Sequence, residues 1–218
     1  MSRIRIGLAL IVMVIATTPA LAITPGSSMF AIQLTNGMAD LTGPEGGTGY
    51  IGAYDHTEWG VQVQYWKMKG ADYAFNISAG ISWFSEVDKP GDNAVPGDPE
   101  LKYDQKSWNV RLGGDRVVKV GERAAIYFGP GIEYWSGSAE FENIFAVGST
   151  EETPTSTRIS LYGRIGGVMS IGKSWGLTGH VGHRVGYATA EEAGAKATWW
   201  PSSFDGAGGL VFMFGGSE

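Results

Sequence analysis

The clearest hydrophobic pattern in the chain lies in residues 72–84, where apolar side chains alternate one by one with small or polar ones. A β-strand points successive side chains to opposite faces, so this segment is predicted to be a strand with one apolar face. The apolar positions are Tyr73, Phe75, Ile77, Ala79, Ile81 and Trp83, and the others are Ala74, Asn76, Ser78, Gly80 and Ser82.

The apolar face of this strand has the length and the end residues of a membrane-crossing strand. Tyr73 closes one end and Trp83 closes the other. About ten tilted residues cross the hydrocarbon layer, and Tyr and Trp rings favour its two interfaces. The segment therefore predicts a strand that crosses a bilayer.

Seven other segments repeat the alternation and predict further strands. They lie at residues 29–36, 59–65, 106–120, 123–136, 158–165, 177–187 and 204–214. Within one of them, the sequence Gly129-Pro130-Gly131 predicts a bulge or kink, because proline cannot donate a hydrogen bond to the ladder.

The connections between the eight strands fall into two classes that alternate along the chain. Four are long, at residues 38–58, 85–105, 137–155 and 189–202, and three are short turns. Outer-membrane barrels place long loops outside and short turns on the periplasmic side, and an even number of strands closes them. The prediction is an all-β, closed, antiparallel up-and-down transmembrane barrel of eight strands. Residues 50–54 could form a further strand, and a ten-stranded barrel is the alternative.

The polar face of the strands carries charges of both signs. A soluble barrel would turn its apolar face inward, but that arrangement would leave these charges and the aromatic strand ends unexplained. Turned inward, the charges form a predicted polar network in the lumen: Arg111, Glu133, Arg158, Arg164, Arg184 and Asp205. An eight-stranded barrel is just wide enough to be filled by side chains, so a filled lumen is expected.

Aromatic residues near the strand ends predict two interfacial girdles on the lipid-facing side. The predicted girdle residues are Trp59, Tyr65, Tyr73, Trp83, Trp108, Tyr134, Tyr187, Phe204 and Phe214.

The first residues predict export from the cytoplasm. Arg3 and Arg5 precede a short apolar run, and small residues near Ala22 suit a cleavage site. We therefore divide the chain into a signal peptide, residues 1–22, and a barrel domain, residues 23–218. The chain has no cysteine and a formal net charge of -6, so it offers no thiol chemistry and does not suggest a nucleic-acid partner.

Candidates for catalytic or metal-binding chemistry are few. His180 and His183 are three residues apart on a predicted strand, so they face opposite sides. His183 could meet Glu191 or Glu192 in the manner of a lipid-modifying enzyme, but geometry must precede a catalytic assignment. The favoured interpretation is that His180 bonds polar lumen neighbours while His183 lies at the interface. No catalytic residue is assigned.

The other chemical candidates are a third histidine and a loop rich in acidic residues. His56 is assigned no role. The loop residues with side-chain oxygen ligands match no EF-hand spacing, so neither a metal nor another cofactor is expected; they are Asp88, Asp92, Asn93, Asp98 and Glu100.

The signal, the alternating strands and the aromatic-rich last strand together resemble a small outer-membrane β-barrel protein of the OmpA-like type. The resemblance implies an outer-membrane location, surrounding outer-membrane lipid, and the barrel assembly machinery as a partner. In that family the last strand usually ends at a C-terminal Phe, whereas here Gly215-Gly216-Ser217-Glu218 follow Phe214.

These observations predict a non-enzymatic outer-membrane barrel with a structural or surface-binding role through its long external loops. A small, porin-like channel is the alternative. A lipid-modifying enzyme at the membrane interface is a third possibility. The sequence identifies no external ligand.

Overall fold

A computed structural model of the protein describes residues 23–40, 55–88, 101–143, 150–152, 155–192 and 195–215. The predicted signal peptide and the segment 50–54 lie outside these residues. The strands are β1 (Ser28–Asp40), β2 (Asp55–Met68), β3 (Tyr73–Asp88), β4 (Leu101–Lys119), β5 (Ala124–Asn143), β6 (Thr150–Glu152), β7 (Ser156–Ser170), β8 (Trp175–Glu192), β9 (Ala195–Trp199) and β10 (Ser202–Phe214).

Eight long strands form the wall of a closed barrel, as predicted. Each pairs antiparallel with its neighbours, and β10 pairs with both β8 and β1. The short β6 pairs with β5 beyond the start of β7, and the short β9 pairs with β8 beyond the start of β10. Each of these two short strands pairs only with the extended end of one long strand and is not part of the closed wall. The wall therefore has eight strands and is not the ten-stranded alternative.

The pairing register gives the tilt of the strands. A path of paired residues that leaves β8 at Leu177 returns to β8 ten residues further along, at Tyr187; it passes Leu210, Ile32, Val63, Ala79, Val110, Tyr134 and Ile159. With a rise of about 3.3 Å per residue and strands about 4.8 Å apart, this offset corresponds to a tilt of about 40°.

The three short turns lie at one end of the barrel, called here the short-turn end. Backbone hydrogen bonds close them, from Lys69 N to Tyr73 O at 2.9 Å and from Val120 N to Ala124 O at 2.8 Å. In the second turn Gly121 has φ 90°, a left-handed conformation that side chains with a Cβ rarely adopt. The opposite end, where the strands lead into the other connections, is called the long-connection end.

The alternation along each strand separates an apolar outside from a polar inside. On β3, Ile77 is 40% exposed on the outer surface while its neighbour Asn76 is 0% exposed in the lumen. On β7, Leu161 is 71% exposed outside. The buried core of this barrel is thus its lumen, which contains many polar side chains and, at the short-turn end, an apolar cluster that includes Met29, Met68 and Met213. Among the described residues, no helix is long and apolar enough to span a membrane.

Of the bulge or kink predicted at Pro130, the bulge is absent. The β4–β5 ladder pairs Gly113 with Gly131 and resumes at Arg116 with Phe128, so equal numbers of residues intervene on the two strands. Pairing with β7 continues through Pro130. The missing proline N–H is accommodated by a local gap in one ladder without an extra residue.

Candidate functional site

The most highly charged part of the lumen is built around Glu133, which β5 points inward and which is fully buried. Three arginines from three strands donate to its carboxylate: Arg111 Nε at 2.5 Å, Arg158 Nη2 at 3.0 Å and Arg184 Nη1 at 3.3 Å. Arg111 also pairs with Asp205 of β10. We call these five residues the Glu133 cluster; it ties four strands besides β5 together across the lumen.

The guanidinium groups of this cluster have further partners. Arg184 Nε donates to Ser203 Oγ at 2.6 Å. Arg158 lies 5.0 Å from the ring centre of Trp135, and Arg111 lies 5.3 Å from that of Tyr162. These contacts stabilise charges that have lost their hydration, because ring faces attract cations.

A second buried carboxylate, Asp115 of β4, lies nearer the short-turn end. Arg164 donates two hydrogen bonds to its carboxylate, from Nε to Oδ1 at 3.1 Å and from Nη2 to Oδ2 at 2.5 Å. Two neutral groups also donate to it, Trp66 Nε1 and Asn76 Nδ2, each at 2.9 Å. We call these four residues the Asp115 cluster; a single arginine and two neutral donors satisfy its carboxylate.

Aromatic rings enclose the cation of the Asp115 cluster. The Arg164 guanidinium lies 5.5 Å from the ring centre of Trp66 and 5.1 Å from that of Tyr127. Those two rings meet edge to face at 5.7 Å. The Arg164 guanidinium thus lies beside both rings, which belong to the buried apolar cluster that fills the short-turn end of the lumen together with residues such as Met29, Met68 and Met213.

Between the two clusters lies a layer of buried polar side chains, formed by Gln33, Gln64, Ser78 and His180 and called here the middle layer. Gln64 and Ser78 are the next inward-facing residues after Trp66 and Asn76 in the direction of the long-connection end. His180 is the second inward-facing residue from Arg184 in the direction of the short-turn end. Each member has a buried nitrogen or oxygen atom without a protein hydrogen-bond partner. Buried polar groups of this kind ordinarily bond to ordered water.

All six residues predicted for the lumen network point inward. The structure brings Arg111, Glu133, Arg158, Arg184 and Asp205 together, and it places Arg164 in the other cluster. Asp115 was missed. It has the same parity as Arg111 on β4, so the alternation already placed it inward, but the valine run that follows obscured the pattern.

No protein-family model matches the chain, and no curated protein matches it. Several solved structures match the chain. The outer-membrane protein OprG of Pseudomonas aeruginosa superposes with a TM-score of 0.50 at 10% identity, covering 88% of this chain and 98% of that one. Ail, the attachment invasion locus protein of Yersinia pestis, gives 0.48 at 16% identity, covering 87% and 99%. A major outer membrane protein of Thermus thermophilus gives 0.47 at 10% identity, covering 86% and 99%.

The fold is that of a small outer-membrane β-barrel. At these identities the likeness to OprG establishes the fold alone. The predicted resemblance therefore holds for the architecture, and the role of the chain must be argued from its own residues.

The nine predicted girdle residues divide between the two ends of this barrel. Six lie toward the long-connection end: Trp59, Trp83, Trp108, Tyr134, Tyr187 and Phe204. Three lie toward the short-turn end: Tyr65, Tyr73 and Phe214. Exposed rings that the sequence interpretation left out complete the short-turn end: Phe75, Phe128, Trp175 and Phe212.

The expected role of His180 is wrong. It is buried in the lumen as predicted, but neither ring nitrogen has a protein hydrogen-bond partner. Its neighbours in the two ladders, Gly166 and Ala207, carry no polar side chain that could reach it.

The possible pairing of His183 with Glu191 or Glu192 is also wrong. All three belong to one continuous strand, and eight residues at about 3.3 Å each separate the nearer pair by about 26 Å. His183 instead lies outside the lumen, with Nε2 2.9 Å from Ser202 Oγ and its ring 4.4 Å from that of Phe204.

The remaining chemical candidates fall largely outside what the structure describes. His56 lies on β2 opposite Ala39, but its side chain is not among the described ones. Asp88 is the last residue of β3, and Asp92, Asn93, Asp98 and Glu100 lie outside the described residues. Within the described part of the chain, no three His, Asp or Glu side chains gather where they could hold a metal ion.

Proposed function

We propose that this chain is a non-enzymatic outer-membrane β-barrel protein whose role is structural or consists of binding through its external connections. The observation that carries the proposal is the inversion of the barrel: apolar side chains cover its outside, and ion pairs fill its inside. Such a barrel is stable where hydrocarbon surrounds it. In water it would expose an apolar surface far larger than soluble monomers carry.

The dimensions of the apolar surface support a bilayer location. Tyr73 and Trp83 bound the lipid-facing side of β3 and are ten residues apart. At about 3.3 Å per residue and a tilt of about 40°, they are separated by about 25 Å along the barrel axis, which is the height of the apolar band of outer-membrane barrels.

The length of three strands supports a role on the outer side of the membrane. Beyond Trp83 and Trp108, the ladders of β3, β4 and β5 continue until Asp88 pairs with Leu101 and Leu101 pairs with Asn143. The five residues from Trp83 to Asp88 extend about 16 Å along the strand. A sheet of this length provides a rigid support for connections that meet a partner outside the bilayer.

The absence of enzymatic activity is part of the proposal. His183 and Ser202 are within hydrogen-bond distance outside the lumen. A nucleophilic serine also needs its histidine to be oriented by a third group, and no carboxylate among the described side chains contacts His183. We expect no hydrolysis of lipid esters by the refolded protein.

The experiment is to refold the chain from residue 23 in the presence of phosphatidylcholine vesicles, float the vesicles, and record from planar bilayers. The expected result is a vesicle-bound protein that adds no steady conductance. A monomer that stays soluble without detergent would overturn the membrane location. Steady conductance would replace the proposed role with that of a channel.

A trimmed hairpin separates a structural role from a binding role. Ser85 and Asp104 are paired, so an Asn-Gly turn can replace residues 86–103 and leave the barrel intact. Wild-type and trimmed chains are then compared in a strain lacking the gene, for detergent resistance and for attachment to surfaces. Restored resistance with the trimmed chain indicates a structural role, and attachment that only the wild type restores indicates binding.

The middle layer favours a small channel as the second candidate function. Its unpartnered polar atoms, including both side-chain amide atoms of Gln64 and both ring nitrogens of His180, suit a chain of water between the clusters. Conduction would require both the Glu133 cluster and the buried apolar cluster at the short-turn end to open. If the chain is a channel, Glu133→Gln should raise its conductance above that of the wild type.

A further inference from the structure

A groove of about 600 Å³ opens on the wall of the barrel at the long-connection end. It lies across β3, β4 and β5 and the residue that precedes β7. Its outward-pointing lining includes Ile81, Trp83, Lys106, Trp108, Ser138 and Thr155. We call it the wall groove; its volume is within the roughly 300–1,000 Å³ of pockets that hold small molecules.

The groove exists because small side chains interrupt the aromatic girdle. The ladders align Trp83, Lys106 and Ser138 in one outward row, and Ile81, Trp108 and Ser136 in the next row toward the membrane centre. Two indole rings on β3 and β4 are therefore followed by serines on β5. The difference in side-chain size leaves a depression beside the rings.

The two rows differ in polarity in the direction that a membrane lipid does. Each row contains one indole and one serine, and the difference lies in the third residue, which is Lys106 in the outer row and Ile81 in the inner row. Lys106 is exposed and forms no ion pair with any side chain that the structure describes. By contrast, the exposed Arg116 at the short-turn end lies 3.7 Å from Asp72.

We propose that the wall groove binds a lipid of the outer leaflet whose headgroup is a phosphorylated sugar. The Lys106 ammonium attracts the phosphate, and hydroxyls of Ser138 and Thr155 can both donate to and accept from phosphate and sugar oxygens. The sides of Trp83 and Trp108, 48% and 46% exposed, contact the sugar and the first carbons of an acyl chain. The proposal rests on the membrane location proposed above.

The membrane itself favours a lipid over a free sugar phosphate as the occupant. A groove at the interface meets lipid headgroups at very high local concentration, and a ligand with its acyl chains already in the bilayer loses little further freedom on binding. Ile81 and Trp108 line the groove on its side nearer the membrane centre, and they place apolar surface where the acyl chains of a bound lipid would run.

The test measures binding of a phosphorylated diglucosamine lipid and of its dephosphorylated form to the folded protein in detergent micelles. Native mass spectrometry counts the bound lipids, and quenching of tryptophan fluorescence by a brominated-chain version gives the affinity. The expected result is preference for the phosphorylated lipid. A water-soluble glucosamine phosphate serves as competitor, and displacement by it at equal concentration would overturn the lipid assignment.

Two variants locate the site. Lys106→Gln removes the charge and should weaken binding of the phosphorylated lipid by about twofold to fivefold, the range of one exposed ion pair. Ser138→Trp leaves the charge in place but fills the groove, and it should weaken both lipids. Lys119→Gln, which changes an exposed lysine at the short-turn end, is the matched control and should have no effect.

Equal binding to wild type, Lys106→Gln and Ser138→Trp would overturn the proposal. Each variant is first checked for resistance to unfolding in cold detergent and for insertion into vesicles. If the wild type fails to insert, the proposed membrane location fails. If all variants insert and bind alike, the membrane location stands and only the lipid site fails.

Discussion

The two buried carboxylates of the lumen are satisfied in different ways. Glu133 accepts from three arginines on three strands. Asp115 accepts from one arginine, one indole and one amide. The first arrangement balances charge with charge, and the second relies mostly on neutral donors and ring faces. Both follow the rule that a buried charge needs a full set of partners.

Because of this difference, the stability of the Glu133 cluster depends more on its central carboxylate than that of the Asp115 cluster does. In the Glu133 cluster three arginines face two carboxylates, so the cluster already carries an excess positive charge. Loss of Glu133 would leave like charges together in a medium of low polarity. Loss of Asp115 would leave a single arginine, which still lies against the rings of Trp66 and Tyr127.

The largest effect is expected for Glu133→Gln. Breaking a buried ion pair by removing one partner costs about 3–5 kcal/mol, and here one substitution unpairs several arginines. The free energy of unfolding, measured by urea titration of the protein in vesicles, should fall by about that amount. Asp205→Asn, which breaks a direct ion pair with only one arginine, Arg111, is the control and should cost less. Equal losses in the two variants would contradict a network centred on Glu133.

A smaller loss, about 2–3 kcal/mol, is expected for Asp115→Asn. The amide oxygen can still accept from Trp66 and Asn76, and the ring faces still stabilise Arg164. A double-mutant cycle with Arg164→Met gives the coupling between the two residues from the same urea titrations. If Asp115→Asn costs more than Glu133→Gln, the contrast between the clusters is wrong.

The same contrast explains what the sequence could and could not predict. Arginines and acidic residues at alternating positions predicted the charges around Glu133, because parity alone sets which face a strand residue occupies. Parity cannot predict which charges meet across the lumen, since that depends on the register of eight strands. Arg164 therefore lay in an unexpected cluster.

The second cluster was also harder to predict because its donors are of mixed kinds. Trp66 follows Tyr65, so the alternation places its ring inward, but the sequence does not indicate that the indole donates to Asp115, as it does in the structure. The strand number, the faces and the two ends followed from local pattern. The absence of a bulge at Pro130 did not, because it depends on the neighbouring strand.

A third prediction compares the lumen with the lipid-facing wall. Ile77→Glu places a carboxyl group against hydrocarbon, and Gln64→Glu places one inside the barrel. The two positions are at a similar height, because Gln64 pairs with Ser78, the residue after Ile77. The outer substitution should cost about 1–2 kcal/mol, below the roughly 2–4 kcal/mol of a basic residue at the midplane. The lumen substitution should cost less, as measured by the fraction that inserts into vesicles. Equal loss of insertion would contradict the assigned faces.

The smallest effect is expected in the middle layer, which has neither the charges of the first cluster nor the full hydrogen bonding of the second. Gln64→Leu removes an amide whose two polar atoms have no protein partner, at nearly constant volume. A buried polar group without a partner costs about 1–3 kcal/mol, whereas one bonded to water costs little. If water satisfies the amide, the substitution should change the free energy of unfolding by less than about 1 kcal/mol. A gain of about 1 kcal/mol or more in the urea titration would instead mean that the layer is dry, and a dry layer would argue against any path for ions or water between the clusters.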